Sequence, residues 1–262
     1  MVIVWLILIA LAVYLLVWGF AFWILAPRLS FNPPLISRQL SEDTFCLEHR
    51  NGECIEMRWF GRDTYADSTN VLLYQHGNGE LLSDIGERLA QLSEIVRMPV
   101  LAYEYRGYGY SDGKATLTNM REDGALAWKY LAEQGYSAAQ IVVYGRSLGT
   151  SNATQLAFDH DPVRALILEV PMWDGLRVYA DLLWTLNGHL QNGKRIKKIH
   201  APTLILYAKE DQLIRPWHSR ALLKASAAKI KQREGFACIH AQVPEMAGYS
   251  EALRIFLGNL HQ

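Results

Sequence analysis

The chain has 262 residues, half of them apolar and a fifth charged, which is enough for one sizeable domain plus an extra segment. Its 26 lysines and arginines balance 26 aspartates and glutamates, so no net charge draws it to nucleic acid or another polyanion. Three cysteines, an odd number, argue against a disulfide framework, and the absence of a CxxC pair, an HExxH motif or an EF-hand spacing leaves metal or other cofactor chemistry without support.

Residues 2–26 carry no charge, and at helical rise they cover a bilayer core with allowance for tilt. Trp5, Trp18 and Trp23 lie towards the two ends, where interfacial indoles belong, so the stretch predicts a transmembrane helix. A signal peptide would want a basic start, a shorter apolar region and a small-x-small cleavage site, and Phe22-Trp23-Ile24-Leu25-Ala26-Pro27 offers no good one. Arg28 and Arg38 come after the helix and no basic residue precedes it, which by the positive-inside rule puts the downstream domain in the cytoplasm. Pro27 is expected to end the helix and residues 27–44 to form an extended linker with Pro33-Pro34, leading into a domain over residues 45–262. Residues 45–60 alternate around Asn51-Gly52, a hairpin signal. A two-residue turn there sets Cys54 opposite His49 and Cys46 opposite Met57, with the two cysteines on different faces and unable to bridge.

A strand is predicted over residues 71–74, running into Gln75-His76-Gly77-Asn78-Gly79, and apolar residues from Leu81 to Val96 then recur at helical spacing. Residues 100–105 read as the next strand, followed by the glycine-punctuated loop 106–113 and a helix over 118–134 stopped by Gly135. The β-branched run from Ile141 ends in Gly145-Arg146-Ser147-Leu148-Gly149, and small helix-compatible residues come next. This is a nucleophile elbow: the serine sits in a strained strand-to-helix turn, and side chains at 145 and 149 would collide with the neighbouring strand and helix. Strands over 165–168 and 203–207, a helix over 217–231, a strand over 238–243 and a helix over 249–260 complete the pattern, with an amphipathic, irregular segment at 173–200. Strand and helix alternate, and the later strands are continuous apolar runs, which predicts an α/β protein with a mostly parallel sheet covered by helices on both faces.

The His76–Gly79 turn, Tyr105-Arg106-Gly107-Tyr108-Gly109-Tyr110-Ser111, the Gly145–Gly149 pentapeptide and Asp211 after a penultimate strand occur in an order that resembles the α/β-hydrolases, in particular membrane-anchored, lysophospholipase-like and acyl-thioesterase-like serine hydrolases. The resemblance spans Phe45 to about Leu260 and implies an eight-stranded sheet, Ser147 as nucleophile, and the backbone N–H groups of Asn78 and Leu148 as an oxyanion hole. Asp211 takes the place of the acid, with Glu210 beside it and Glu169 at a strand end as rivals. The resemblance asks for a histidine in the loop after the last strand, yet residues 243–250 contain none. His240 lies inside the predicted strand, His218 begins a helix and His261 comes after one, so the base is His240, one of these others, or no histidine at all. The position of residues 173–200 is that of a lid, where Trp173, Leu176, Tyr179, Leu182, Leu183 and Trp184 either line an acyl pocket or face the core, and Lys194-Arg195-Ile196-Lys197-Lys198 either touch anionic headgroups or form a solvated connector. Two functions are open: a membrane-anchored hydrolase of an ester or thioester, with a small-molecule or lipid acyl substrate, or a catalytically inactive hydrolase-fold module tethered to the membrane to bind a partner.

Overall fold

The computed structural model describes residues 2–29, 31–34, 43–175, 178 and 190–261. Arg38, much of the expected linker, and Leu176, Tyr179, Leu182, Leu183 and Trp184 lie outside the described residues. The first helix, α1 (Val2–Leu29), has a 19-residue stretch of mean hydropathy 2.7, Val2–Phe20, none of it buried against the rest of the protein. It is long and apolar enough to span a membrane. It runs past Pro27, contrary to the expected stop, because a proline in the last turn forfeits one N–H bond and leaves the preceding ladder intact.

β1 (Thr44–Glu48) and β2 (Cys54–Phe60) form the expected hairpin in a different register. His49 N–H donates to the Glu53 carbonyl at 2.8 Å and Gly52 N–H to the His49 carbonyl at 2.9 Å, so Arg50-Asn51-Gly52 make a three-residue turn with Gly52 at φ +82°. One extra turn residue shifts the register by one: Cys46 faces Glu56 and Cys54 faces Glu48. The two cysteines share a face, their Cα atoms are 5.5 Å apart, and they are joined in a disulfide, correcting the sequence expectation. Cys238 is free and buried.

The sheet continues through β3 (Val71–Gln75), β4 (Val100–Tyr103), β5 (Ile141–Arg146), β6 (Ala165–Glu169), β7 (Thr203–Ala208) and β8 (Lys231–Phe236), in the order β1-β2-β4-β3-β5-β6-β7-β8. β2 runs antiparallel to β1 and β4, and every pair from β4 to β8 is parallel. The central strands are buried on both faces, which explains their unbroken apolar runs. Alternate residues serve two cores. Leu73, Val143 and Leu166 pack beneath α3 (Leu117–Glu133) and α4 (Gly149–Asp159). Leu72, Val142 and Ile167 pack beneath α2 (Leu82–Val96) and the helix Tyr249–Gly258.

The C-terminal third differs from expectation. The helix predicted over 217–231 stops at Ala225, and the last strand is Lys231–Phe236 rather than 238–243. β8 is an edge strand bonded only to β7 and half-exposed, so its Lys-Gln-Arg-Glu sequence satisfies its surroundings without an apolar run. Residues 238–243 look like a strand because Cys238 and Val243 tuck into the core, but Gln242 N–H turns back to the Ile239 carbonyl at 3.1 Å and Ile239 faces solvent. His240 therefore lies in the loop after the last strand.

The turn from β5 into α4 depends on close backbone approach. A Cβ at Gly149 would lie 2.1 Å from the Gln75 carbonyl oxygen, and one at Gly145 2.5 Å from the Gly149 carbonyl oxygen. Gly149→Ala is expected to cost about 1–3 kcal/mol, the range for overpacking, as measured by urea unfolding.

Candidate active site

Ser147 comes directly after the last residue of β5 at φ +49°, and its N–H donates to the Glu169 carbonyl at 2.9 Å. This left-handed conformation is costly for a serine and turns its Oγ out of the sheet plane. His240 Nε2 lies 3.1 Å from Ser147 Oγ, and His240 Nδ1 lies 2.7 Å from Asp211 Oδ2. Asp211 lies just beyond β7 and is buried; its other oxygen accepts the N–H groups of Leu213 at 2.9 Å and Ile214 at 2.7 Å. With Asp211 as acceptor only, Nδ1 carries the proton and Nε2 is left to accept from the serine hydroxyl. Three residues nominated from distant parts of the chain thus form one hydrogen-bonded path.

Of the rival acids and bases, Glu169 and His218 are engaged elsewhere. Glu169 is bonded to Arg146 and accepts the Tyr144 hydroxyl at 2.5 Å, and Glu210 is exposed. His218 is buried, accepts the Trp173 N–H through Nδ1 at 3.0 Å and stacks on Trp217. The side chain of His261 lies outside the described residues. Arg106 is architectural: it binds Asp123 at 2.6 Å, Glu122 at 2.6 Å and Glu53 at 3.1 Å, tying its loop to α3 and the hairpin.

Asn78 and Leu148 line the same pocket as Ser147. Among the described residues neither backbone N–H has an acceptor within the protein, while the Asn78 side chain is held by the Tyr108 hydroxyl at 2.5 Å and by Asn32 N–H at 2.9 Å. The turn that carries Asn78 is pinned on both sides. His76 is buried with Nδ1 2.8 Å from the Gly77 carbonyl and Nε2 3.1 Å from Glu104; burial works to lower its pKa, but Glu104, the Gly77 carbonyl and Glu80 together outweigh this and raise it. Gly77 N–H donates to Glu80 at 2.7 Å, and Glu80 also pairs with Arg88 at 2.7 Å and Arg146 at 2.8 Å. Among the described residues, the pocket, of about 120 Å³, is otherwise walled by Met172, Gly175, Val178, Leu190, Leu213 and Ile214, an apolar lining around the reacting groups. Sequence reasoning missed Glu80, Tyr108 and Arg146; the only signal for them was that charged and hydroxyl side chains flank two glycine turns.

Comparison with known proteins bears on the fold that carries this arrangement. The family described as Chlamydia CHLPS protein (DUF818) matches residues 63–165. Human alpha/beta hydrolase domain-containing protein 17B is 30% identical over 190 residues, covering 71% of this chain and 66% of that protein's length, and Caenorhabditis elegans alpha/beta hydrolase domain-containing protein aho-3 is 27% identical over 256 residues, covering 88% and 76%. Among solved structures, the Pyrococcus furiosus esterase Pf2001 superposes with a TM-score of 0.70 at 15% identity, covering 87% of this chain and 98% of that one. A Paleococcus ferrophilus monoacylglycerol lipase does so with a TM-score of 0.61 at 18% identity, covering 79% and 98%. The chain belongs to the α/β-hydrolase superfamily, and its kinship is with hydrolases.

Burial pushes the Glu80 carboxyl up, but Arg146, Arg88 and the Gly77 N–H outweigh it and hold its pKa at about 2. Because that lies below the unfolded value of about 4.3, ionised Glu80 stabilises the fold fully above roughly pH 5, and the contribution is lost as pH falls towards 2. In denaturant titrations across pH, Glu80→Gln is expected to be less stable than wild type by a constant margin at neutral pH and to converge with it as pH approaches 2.

Proposed function

We propose that the protein is a membrane-anchored serine hydrolase that cleaves an ester or thioester through an acyl-enzyme on Ser147. The observation that carries this reading is the continuous path Asp211–His240–Ser147 at 2.7 and 3.1 Å, opening on an apolar pocket. Ser147 Oγ attacks the substrate carbonyl carbon as His240 Nε2 takes its proton, and the negative charge on the carbonyl oxygen is met by the N–H groups of Asn78 and Leu148. His240 then returns the proton to the departing alcohol or thiol as the carbonyl re-forms. Water, deprotonated by the same imidazole, attacks the acyl-enzyme, and Ser147 leaves reprotonated with the free acid as product. Asp211 holds the imidazole in the required tautomer and steadies its charged form.

Two features favour a lipid acyl substrate. The pocket wall offers hydrocarbon contacts and few hydrogen bonds, which suits an acyl chain. The membrane-length helix is also followed directly by contacts to the site: Asn32, three residues after Leu29, donates its N–H to the Asn78 side chain, and Phe31 packs edge-on against Tyr108. A domain tethered this way meets substrates at the bilayer surface. The Cys46–Cys54 disulfide favours an oxidising compartment for that domain, against the cytoplasmic side suggested by Arg28 and Arg38. The esterase and lipase names of the solved neighbours are of the same reaction class. The alternative of an inactive binding module rested on the absence of histidine from residues 243–250, and with His240 beside Ser147 it loses its motive.

The full chain in detergent is expected to label with a fluorophosphonate probe. Ser147→Ala should abolish labelling, and His240→Ala or Asp211→Asn should slow it by roughly 10³-fold or more. A folded wild type that does not label would favour the inactive module. In a parallel test, the chain should remain with membranes after a high-salt wash and be released when residues 2–20 are deleted; a deletion variant that stays bound would remove the anchor from the account.

A further inference from the structure

Arg146 is, with Leu148, one of the two residues of the Gly145–Gly149 pentapeptide that are neither glycine nor the nucleophile, yet its side chain is only 5% exposed. Its three nitrogens reach three different segments. Nε donates to Glu80 Oε1 at 2.8 Å, one Nη to the Glu169 carboxylate at the end of β6, and the other Nη to the Ala241 carbonyl at 3.2 Å, one residue after His240. Glu80 passes the connection on: its second oxygen accepts Gly77 N–H at 2.7 Å, immediately before Asn78. Glu169 closes the ring, since its main-chain oxygen accepts the Ser147 N–H. One guanidinium therefore ties the elbow to the turn bearing Asn78 and to the loop bearing His240.

A buried ion network is weak evidence for stability, because a well-packed apolar replacement can be equally stable. Its value lies in direction: a planar fork with fixed donor angles sets the relative position of whatever it binds, which a flexible ammonium does not. Here the bound segments are those whose spacing decides whether an oxyanion meets two N–H groups and whether the serine proton meets Nε2.

Resting on the hydrolase reading above, we propose that Arg146 and Glu80 are positioning residues that lock the oxyanion turn and the His240 loop to the nucleophile elbow. Neither touches the substrate. Their removal misplaces groups that do, and a misplacement of about 1 Å costs on the order of 10²-fold in rate.

The test uses the full chain in detergent, p-nitrophenyl butyrate as substrate, and competent sites counted by fluorophosphonate titration carried to completion. For Arg146→Lys, Arg146→Gln and Glu80→Gln, kcat per titrated site is expected to fall about 10- to 100-fold with KM within about twofold of wild type, the signature of an effect on the transition state alone. Arg146→Lys should not rescue, since one ammonium cannot serve three diverging acceptors, and the Arg146→Gln/Glu80→Gln double variant should be no slower than the worse single, as for residues acting as a unit. Fewer titratable sites with wild-type kcat per site would reduce the pair to a folding role and overturn the proposal, as would full activity in Arg146→Lys. A wild type that neither labels nor turns over would instead remove the hydrolase reading and the proposal with it.

Discussion

Ser147 is held at φ +49°, a conformation that costs a side chain-bearing residue roughly 1–3 kcal/mol and persists only where its surroundings over-determine it. Those surroundings are the reason for much of the sequence nearby. Gly145 and Gly149 lack side chains because α4 crosses β5 and the end of β3 at distances no Cβ tolerates. The Ser147 N–H is fixed to the end of β6, and the next strand pairs set where Asp211 and His240 leave the sheet. The parallel order β3-β5-β6-β7-β8 brings the carboxyl ends of five strands to one edge, so residues at 78, 147, 211 and 240 converge although up to 162 positions apart.

The electrostatics beneath the elbow arise from the same geometry. Three turns that meet at one edge leave backbone N–H and C=O groups pointing at one another with no ladder to satisfy them, and buried polar groups without partners are expensive. Glu80, Arg88, Arg146 and Glu169 fill that gap as alternating charges, and Tyr144, with Tyr249 2.9 Å from it, completes the set. Burial and the nearby Glu169 carboxylate push both tyrosine hydroxyls well above their usual range, which keeps them neutral and fit to donate. At the opposite rim, Asn32, just after the membrane-length helix, donates its N–H to the Asn78 side chain and the Tyr108 hydroxyl, so the segment that follows the helix is fixed to the site by hydrogen bonds.

Much of this was legible in the sequence. Ser147 and Leu148 were nominated by glycine spacing at a strand-to-helix turn, whereas Asn78 and Asp211 were nominated by the resemblance to the α/β-hydrolases, through a His-Gly-x-Gly turn and a place after the penultimate strand. His240 was obscured by a specific confusion: β8, at the sheet edge, carries Lys231-Gln-Arg-Glu and gives no apolar signal, whereas the loop after it buries Cys238 and Val243 and imitates a strand. The hairpin misreading was of a similar kind, since Asn51-Gly52 serves two- and three-residue turns alike and one residue decides whether Cys46 and Cys54 share a face. The Arg146 fork was illegible for a deeper reason. A charged residue inside a motif looks like any surface position until the fold shows which carbonyl and carboxylates surround it.

The central claim is that Ser147 carries the acyl group. The most direct measurement is to mix the full chain in detergent with p-nitrophenyl acetate, quench in acid during turnover, and sequence the modified peptide by mass spectrometry. An acetyl group on Ser147 that is absent from Ser147→Ala is the predicted result. Ester hydrolysis with the acetyl group on another residue, or undiminished turnover by Ser147→Ala, would contradict the account.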